Sequence, residues 1–134
     1  MQAYDKAFMK TVTASDIDAS VSNQHELHGV SKLQDIFGTI ASNDNTKYRH
    51  LATIRTGHSG TPQPINITWY NARANHPSRQ EYRLYYVASG AHLIRQLNIR
   101  DDIFIGQTKN GNIEIVIFPS QNSGYSSWTP VTIP

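Results

Sequence analysis

Arg73, Arg79, Glu81 and Arg83 crowd into one stretch, WYNARANHPSRQEYRLYYV, between Trp69 and Val87. An arginine fork donates two parallel N–H groups, which match the O6 and N7 acceptors of guanine. A carboxylate accepts from the N4 amino group of cytosine. If SRQEYR is extended, its period of two sets Arg79, Glu81 and Arg83 on one face and Gln80 and Tyr82 on the other. Pro77 suits a turn or the start of that strand. Such a row in a major groove is chemically suited to a G·C-rich site. On a surface that only grips phosphate a glutamate would repel the backbone, so its place between two arginines favours base reading. The same row also makes a surface ladder of ion pairs worth about 0.2–1 kcal/mol. The residues alone leave both readings open.

Other chemistries find less support. His25 and His28 in NQHELHG have a His-x-x-His spacing around Glu26. That is half a metal site, and no second cluster supplies a third and fourth ligand. These histidines read as loop residues, or as donors to phosphate or base. No Glu-x-Lys of the restriction-nuclease kind is present, TGHSGTP lacks the lysine of a phosphate loop, and no histidine pairs with a lysine in a ribonuclease-like way. The expectation is therefore no catalytic residue, no metal and no cofactor. The absence of cysteine excludes disulfides, thiol catalysis and Cys-ligated zinc, and fits a reducing compartment.

Charge is informative by its placement. The net charge is only +2, yet Lys47, Arg49 and Arg55 fall in KYRHLATIRTGH without an acid. Asp16, Asp18, Asp35, Asp44, Asp101 and Asp102 lie elsewhere. Local basic patches on a near-neutral chain suit an anionic partner gripped at a defined place; a solvated basic face is the other reading.

The elements that must position these residues read mainly as strands. The 134 residues suit one domain, 1–134, able to bury roughly two thirds of its unfolded surface. Charged residues are 16% of the chain, below the usual level of about 25%, so the surface is rich in Ser, Thr, Asn and Gln. INITWY alternates, with Ile65, Ile67 and Trp69 on one face and Asn66, Thr68 and Tyr70 on the other. EYRLYYV, HLATIRT, FMKTVTA, DIFIGQT and NIEIVIF are further strands, and Asn110–Gly111 in KNGN predicts a two-residue hairpin turn with positive φ at both positions. GVSKLQDIFG spaces Val30, Leu33, Ile36 and Phe37 for a short helix stopped by Gly38. ASGAHLIRQLNI does the same with Leu93, Ile94 and Leu97 behind a Ser89 N-cap. Helices this short are marginal alone and must cap an apolar opening. The architecture expected is a mostly antiparallel barrel of about seven strands with two short helices plugging its ends. No apolar run approaches the ~20 residues of a membrane span, and MQAYDKAFMKTV has no apolar signal core, so a cytoplasmic protein is expected.

At YNAR followed by RQEYR the chain resembles the N-terminal effector domain of the EcoRII type of restriction endonuclease, which carries Tyr-Asn-x-Arg followed by Arg-x-Glu-x-Arg. NQHELHG leading into VSKLQDIFG is similar to that domain's recognition loop and first helix, and NIEIVIF to a late strand. The resemblance runs from about Thr13 to Phe118. It implies a DNA-binding pseudobarrel akin to the plant B-three domain, whose two arms enter the major groove of one short duplex site. On this resemblance the N-terminal arm is Ser22–His28, with Asn23 and His28 as readers and Gln24 and His25 beside them. The C-terminal arm is Arg73–Arg83, with Arg79, Glu81 and Arg83 reading bases and His76, Ser78, Gln80 and Tyr82 also in contact. By its charge, not by the resemblance, the basic run Lys47 to Arg55, with Lys47 and Arg49 foremost, is expected to hold phosphates. Tyr82 and Pro77 stand where the family has basic residues, and His28 replaces a tyrosine. The implied site is of the CC(A/T)GG kind.

Together these readings give a sequence-specific double-stranded DNA-binding domain. It is expected to be a monomer, non-catalytic by itself, away from membranes and fused in its parent to a nuclease domain. Two alternatives stay open: a metal-independent, histidine-based ribonuclease-like enzyme, and a small barrel that binds carbohydrate or protein through Tyr and Trp.

Overall fold

The alternation in INITWY becomes the middle of a β-sheet. The computed structural model describes residues 4–14, 26–27, 30–74, 81–87, 93–94 and 96–132. Among them the strands are β1 (Tyr4–Thr11), β2 (Glu26–Leu27), β3 (Tyr48–Thr56), β4 (Gln63–Asn71), β5 (Tyr82–Val87), β6 (Asp102–Thr108), β7 (Ile113–Phe118) and β8 (Thr129–Pro130). They form one sheet in the order β2-β5-β4-β3-β7-β6-β1-β8. Every pair is antiparallel except β3 and β7, which run parallel. The protein is mainly β, and the mixed sheet curls into a half-barrel.

Register follows the apolar pattern, because a slip of one residue would turn every side chain to the wrong face. β4 buries Ile65, Ile67 and Trp69, and β3 opposite it buries Ala52 and Ile54. These side chains join Phe8, Leu84, Ile103, Ile105, Ile115 and Trp128 in the main core. Each large apolar side chain so buried contributes roughly 1.5–3 kcal/mol. In β6 and β7 nearly every residue is buried, since these strands are covered on both faces. Their second face carries Phe104 and Val116, which pack with Ala7 and Met9 of β1 and with Tyr4, Phe118, Tyr125 and Val131. Gly106 is required there: a Cβ would lie 2.6 Å from Tyr4 Cδ1 and 2.8 Å from the Phe104 ring.

The first expected helix forms as a 3-10 turn, Val30–Leu33, running into α1, Gln34–Phe37. Val30, Leu33 and Ile36 plug the main core. Gly38 ends it with φ 94°, its N–H donating to the Gln34 carbonyl at 2.8 Å. Of the second expected helix only Leu93 and Ile94 are described as helical; Ser89 lies outside the described residues. Ile94 and Leu97 are buried, so its apolar face meets the core as the spacing predicts.

The KNGN hairpin differs from the expectation. Thr108 and Asn112 close a three-residue loop: the Thr108 N–H donates to the Asn112 carbonyl and the Gly111 N–H to the Thr108 carbonyl, both at 2.9 Å. Gly111 takes φ 86° but Asn110 does not have positive φ. This is a type I turn closed by a left-handed glycine, which needs one such residue rather than two. Among the described residues, no helix is long and apolar enough to cross a membrane.

Candidate nucleic-acid interface

The stretch expected as the C-terminal arm falls between β4 and β5. At its root Asn71 pairs with Tyr82, and the Ala72 N–H donates to the Glu81 carbonyl at 2.8 Å, extending the ladder one step into the arm. The Ala74 N–H returns to the Asn71 carbonyl at 3.3 Å, so the chain turns as soon as it leaves β4. Asn71 is buried, and its Oδ1 accepts from the Arg73 and Glu81 N–H groups, each at 3.0 Å. Sequence reasoning missed this residue. An asparagine at a strand end that caps its own backbone two residues on is a known turn device, and that was the available signal.

Three of the expected site residues come together there. Glu81 Oε2 accepts from Arg83 Nη2 at 3.1 Å and lies 3.5 Å from Arg73 Nε. All three side chains are about a third to a half exposed, so solvent screens the pairs. Glu81 and Arg83 share a side, as the period of two predicts. Arg79, Gln80, His76, Ser78 and Pro77 lie outside the described residues.

Tyr82 is placed otherwise than expected. It is 7% exposed, with its ring stacked on Trp69 at 4.9 Å and its hydroxyl against the Ile40 backbone, accepting from the N–H at 3.0 Å. It points inward from β5 and works as core, so its expected DNA contact is not carried further. Trp69 in turn donates from Nε1 to the Gly38 carbonyl at 2.9 Å, which ties the root of the arm to the end of α1.

The outer face of β3, β4 and β5 continues from the arm. Tyr70 pairs in register with Arg83, and in the next row Arg49, Thr68 and Tyr85 lie side by side. The Tyr70 and Tyr85 rings stack at 5.3 Å, and Lys47 Nζ sits 5.4 Å from the Tyr70 ring centroid. Lys47 and Arg49 are exposed. Beside them Tyr48 donates its hydroxyl to Asp44, which also accepts from the Thr46 N–H at 2.9 Å. The Thr46 and Tyr48 hydrogen bonds hold the Asp44 carboxyl below its ordinary value. Arg55, third of the basic run, pairs with Glu114 at 2.9 Å across the parallel β3–β7 step, with Tyr4 donating to the same oxygen at 2.8 Å. Arg55 thus belongs to the structural face rather than to a phosphate track.

Within the stretch expected as the N-terminal arm, β2 pairs with β5 as Leu27 with Leu84 and Glu26 with Tyr85. Asn23, Gln24, His25 and His28 lie outside the described residues. Of the described histidines, His50 packs on Phe37 and His58 on Phe118, each at 5.1 Å, and burial lowers the His50 pKa below its ordinary value. Among the described residues no cluster of His, Asp or Glu is placed to hold a metal ion.

No protein-family model matches the chain, and no curated protein sequence matches it. Among solved structures it is similar to the N-terminal domain of Helicobacter pylori LlaJI.R1, with a TM-score of 0.52 and 10% identity, over 96% of this chain and 99% of that one. At that identity the likeness is one of fold.

Proposed function

We propose that this chain is a sequence-specific, double-stranded DNA-binding domain that reads a short G·C-containing site in the major groove through two arms. The observation that carries the reading is Glu81 held between Arg73 and Arg83 at the root of an arm. A cytosine-accepting carboxylate flanked by guanine-reading guanidiniums is a base-reading set rather than a phosphate-gripping one. Exposed Lys47 and Arg49 extend the positive surface beyond the arm and supply phosphate contacts. The pairing of β2 with β5 supports two arms working from one side. The fold shared with the N-terminal domain of LlaJI.R1 supports a module that is one part of a longer protein. The finer assignment, to the EcoRII type and a CC(A/T)GG-like site, is carried by the YNAR and RQEYR motifs. On this reading the domain is a cytoplasmic monomer, does not cut DNA itself and directs a nuclease domain of its parent.

Glu81→Ala tests the reading. If Glu81 accepts from cytosine N4, the variant loses roughly 1–3 kcal/mol of discrimination at one C·G pair. Its binding to unrelated duplex stays equal or tightens, because a charge that repels phosphate is gone. An ion-pair ladder with no role in reading predicts unchanged base preference. Titrating wild type and variant against a selected duplex and its single-base-pair changes, at two salt concentrations, separates the two.

A further inference from the structure

The root of the arm holds a buried amide that serves the backbone on both sides of it. Asn71 is 3% exposed, and its Oδ1 accepts at 3.0 Å from the N–H groups of Arg73 and Glu81. Among the described residues its buried Nδ2 meets no hydrogen-bond acceptor. A leucine of nearly the same shape would bury no polar atom at this place, so the amide is kept for its oxygen. That oxygen joins two residues on either side of the arm, and the same two face each other as the Arg73–Glu81 ion pair. The next position is fixed independently, since Tyr82 is stacked on Trp69 and bonded to Ile40.

We infer that Asn71 is the positioning residue of the C-terminal arm: its Oδ1 sets the backbone of Arg73 and Glu81 so that the Glu81 carboxylate stands between Arg73 and Arg83. The inference rests on the reading of this arm as the one that meets bases. Asn71 itself, being buried, touches no base. Holding Arg73 and Glu81 in place in advance removes the cost of ordering these two residues when the duplex arrives, so the gain falls on discrimination rather than on general attraction to DNA.

Two measurements on the 134-residue chain decide the matter. The first needs no DNA: amide hydrogen exchange at Arg73 and Glu81. Both amides are expected to exchange slowly in wild type and in Asn71→Asp, which keeps the acceptor, and at least about tenfold faster in Asn71→Leu, which removes it. The second is titration against a duplex selected from a randomised pool and its single-base-pair variants. Asn71→Leu is expected to lose roughly tenfold in discrimination, with affinity for unrelated duplex unchanged, while Asn71→Asp keeps most of the discrimination. Should Asn71→Leu fail to fold, Asn71→Ala takes its place. Fast exchange at both amides in folded wild type overturns the clamp. Slow exchange with full discrimination in the acceptor-less variant overturns the positioning role. A wild-type chain with slow amides but no base preference would overturn the DNA-reading function, and the positioning role of Asn71 would fall with it.

Discussion

Glu81 and Tyr82 stand side by side at the root of the arm, one half-buried between two arginines and the other turned into the core. The period of two assigns them to opposite faces, and that much was legible in RQEYR. The sequence did not tell which face the core would claim for the tyrosine, because an aromatic ring suits a groove and a core alike. What decided it lies far away in the chain: Trp69 supplies the stacking surface and Ile40 the hydrogen-bond partner. Tyr82→Phe keeps the ring but leaves the buried Ile40 N–H without the hydroxyl that accepts from it. It is expected to cost about 1–3 kcal/mol of stability, read as a lower urea midpoint, with base preference unchanged. Unchanged stability with altered preference would put Tyr82 back among the contacts. Arg55 teaches the same point. Its partner Glu114 sits on a strand that reaches it by a parallel pairing, and no local pattern announces such a partner.

At the scale of elements, alternation was the most legible signal. It located β4, where INITWY buries one apolar row, whereas β5, β6 and β7 were legible as β-branched or aromatic runs beside turn signals, and β6 and β7 bury nearly every residue without alternating. β1 begins at Tyr4, ahead of the expected start at Phe8, because its first residues are held by the bulged pairing with β6 rather than by an apolar row. The strip formed by β3, β4 and β5 presents Arg49 outward beside Thr68 and Tyr85. Arg49→Ala is expected to weaken binding to all duplexes alike and to reduce the slope of log affinity against log salt by about 0.9. A loss confined to one sequence would contradict a phosphate role.

A second element, the C-terminal segment, is tied down by Asp102. That carboxylate accepts from Thr11 Oγ1 at 2.6 Å, Gln121 Nε2 at 2.8 Å and Ser123 Oγ at 2.5 Å. Burial alone would raise its pKa, but the hydrogen bonds from Ser123, Thr11 and Gln121 outweigh it and hold the group below its ordinary 3.8. A depressed carboxylate contributes stability that is fully present above the unfolded value and is lost as pH falls through the folded one. Asp102→Asn is thus expected to be about 1–3 kcal/mol less stable at neutral pH. Its urea midpoint should also fall less than that of wild type as pH drops below the ordinary aspartate value. Equal acid sensitivity in both proteins would remove Asp102 from this role.

For the molecule as a whole, the half-barrel gives each region a separate task. β1, β6 and β7 carry core on both faces. β3, β4 and β5 keep one face open, which carries exposed Arg49 and continues toward the connection between β4 and β5. The barrel was legible in the count and spacing of strands, whereas the grouping of Arg49, Arg83 and Tyr85 on one surface depends on cross-strand register. Whether this surface reads duplex sequence is decided by selecting binding sites with the whole chain from a pool of randomised duplexes. Enrichment of one short motif containing G·C pairs is expected, retained at elevated salt and bound by a single chain. Recovery of no motif, or equal binding to single strands, would contradict a base-reading surface.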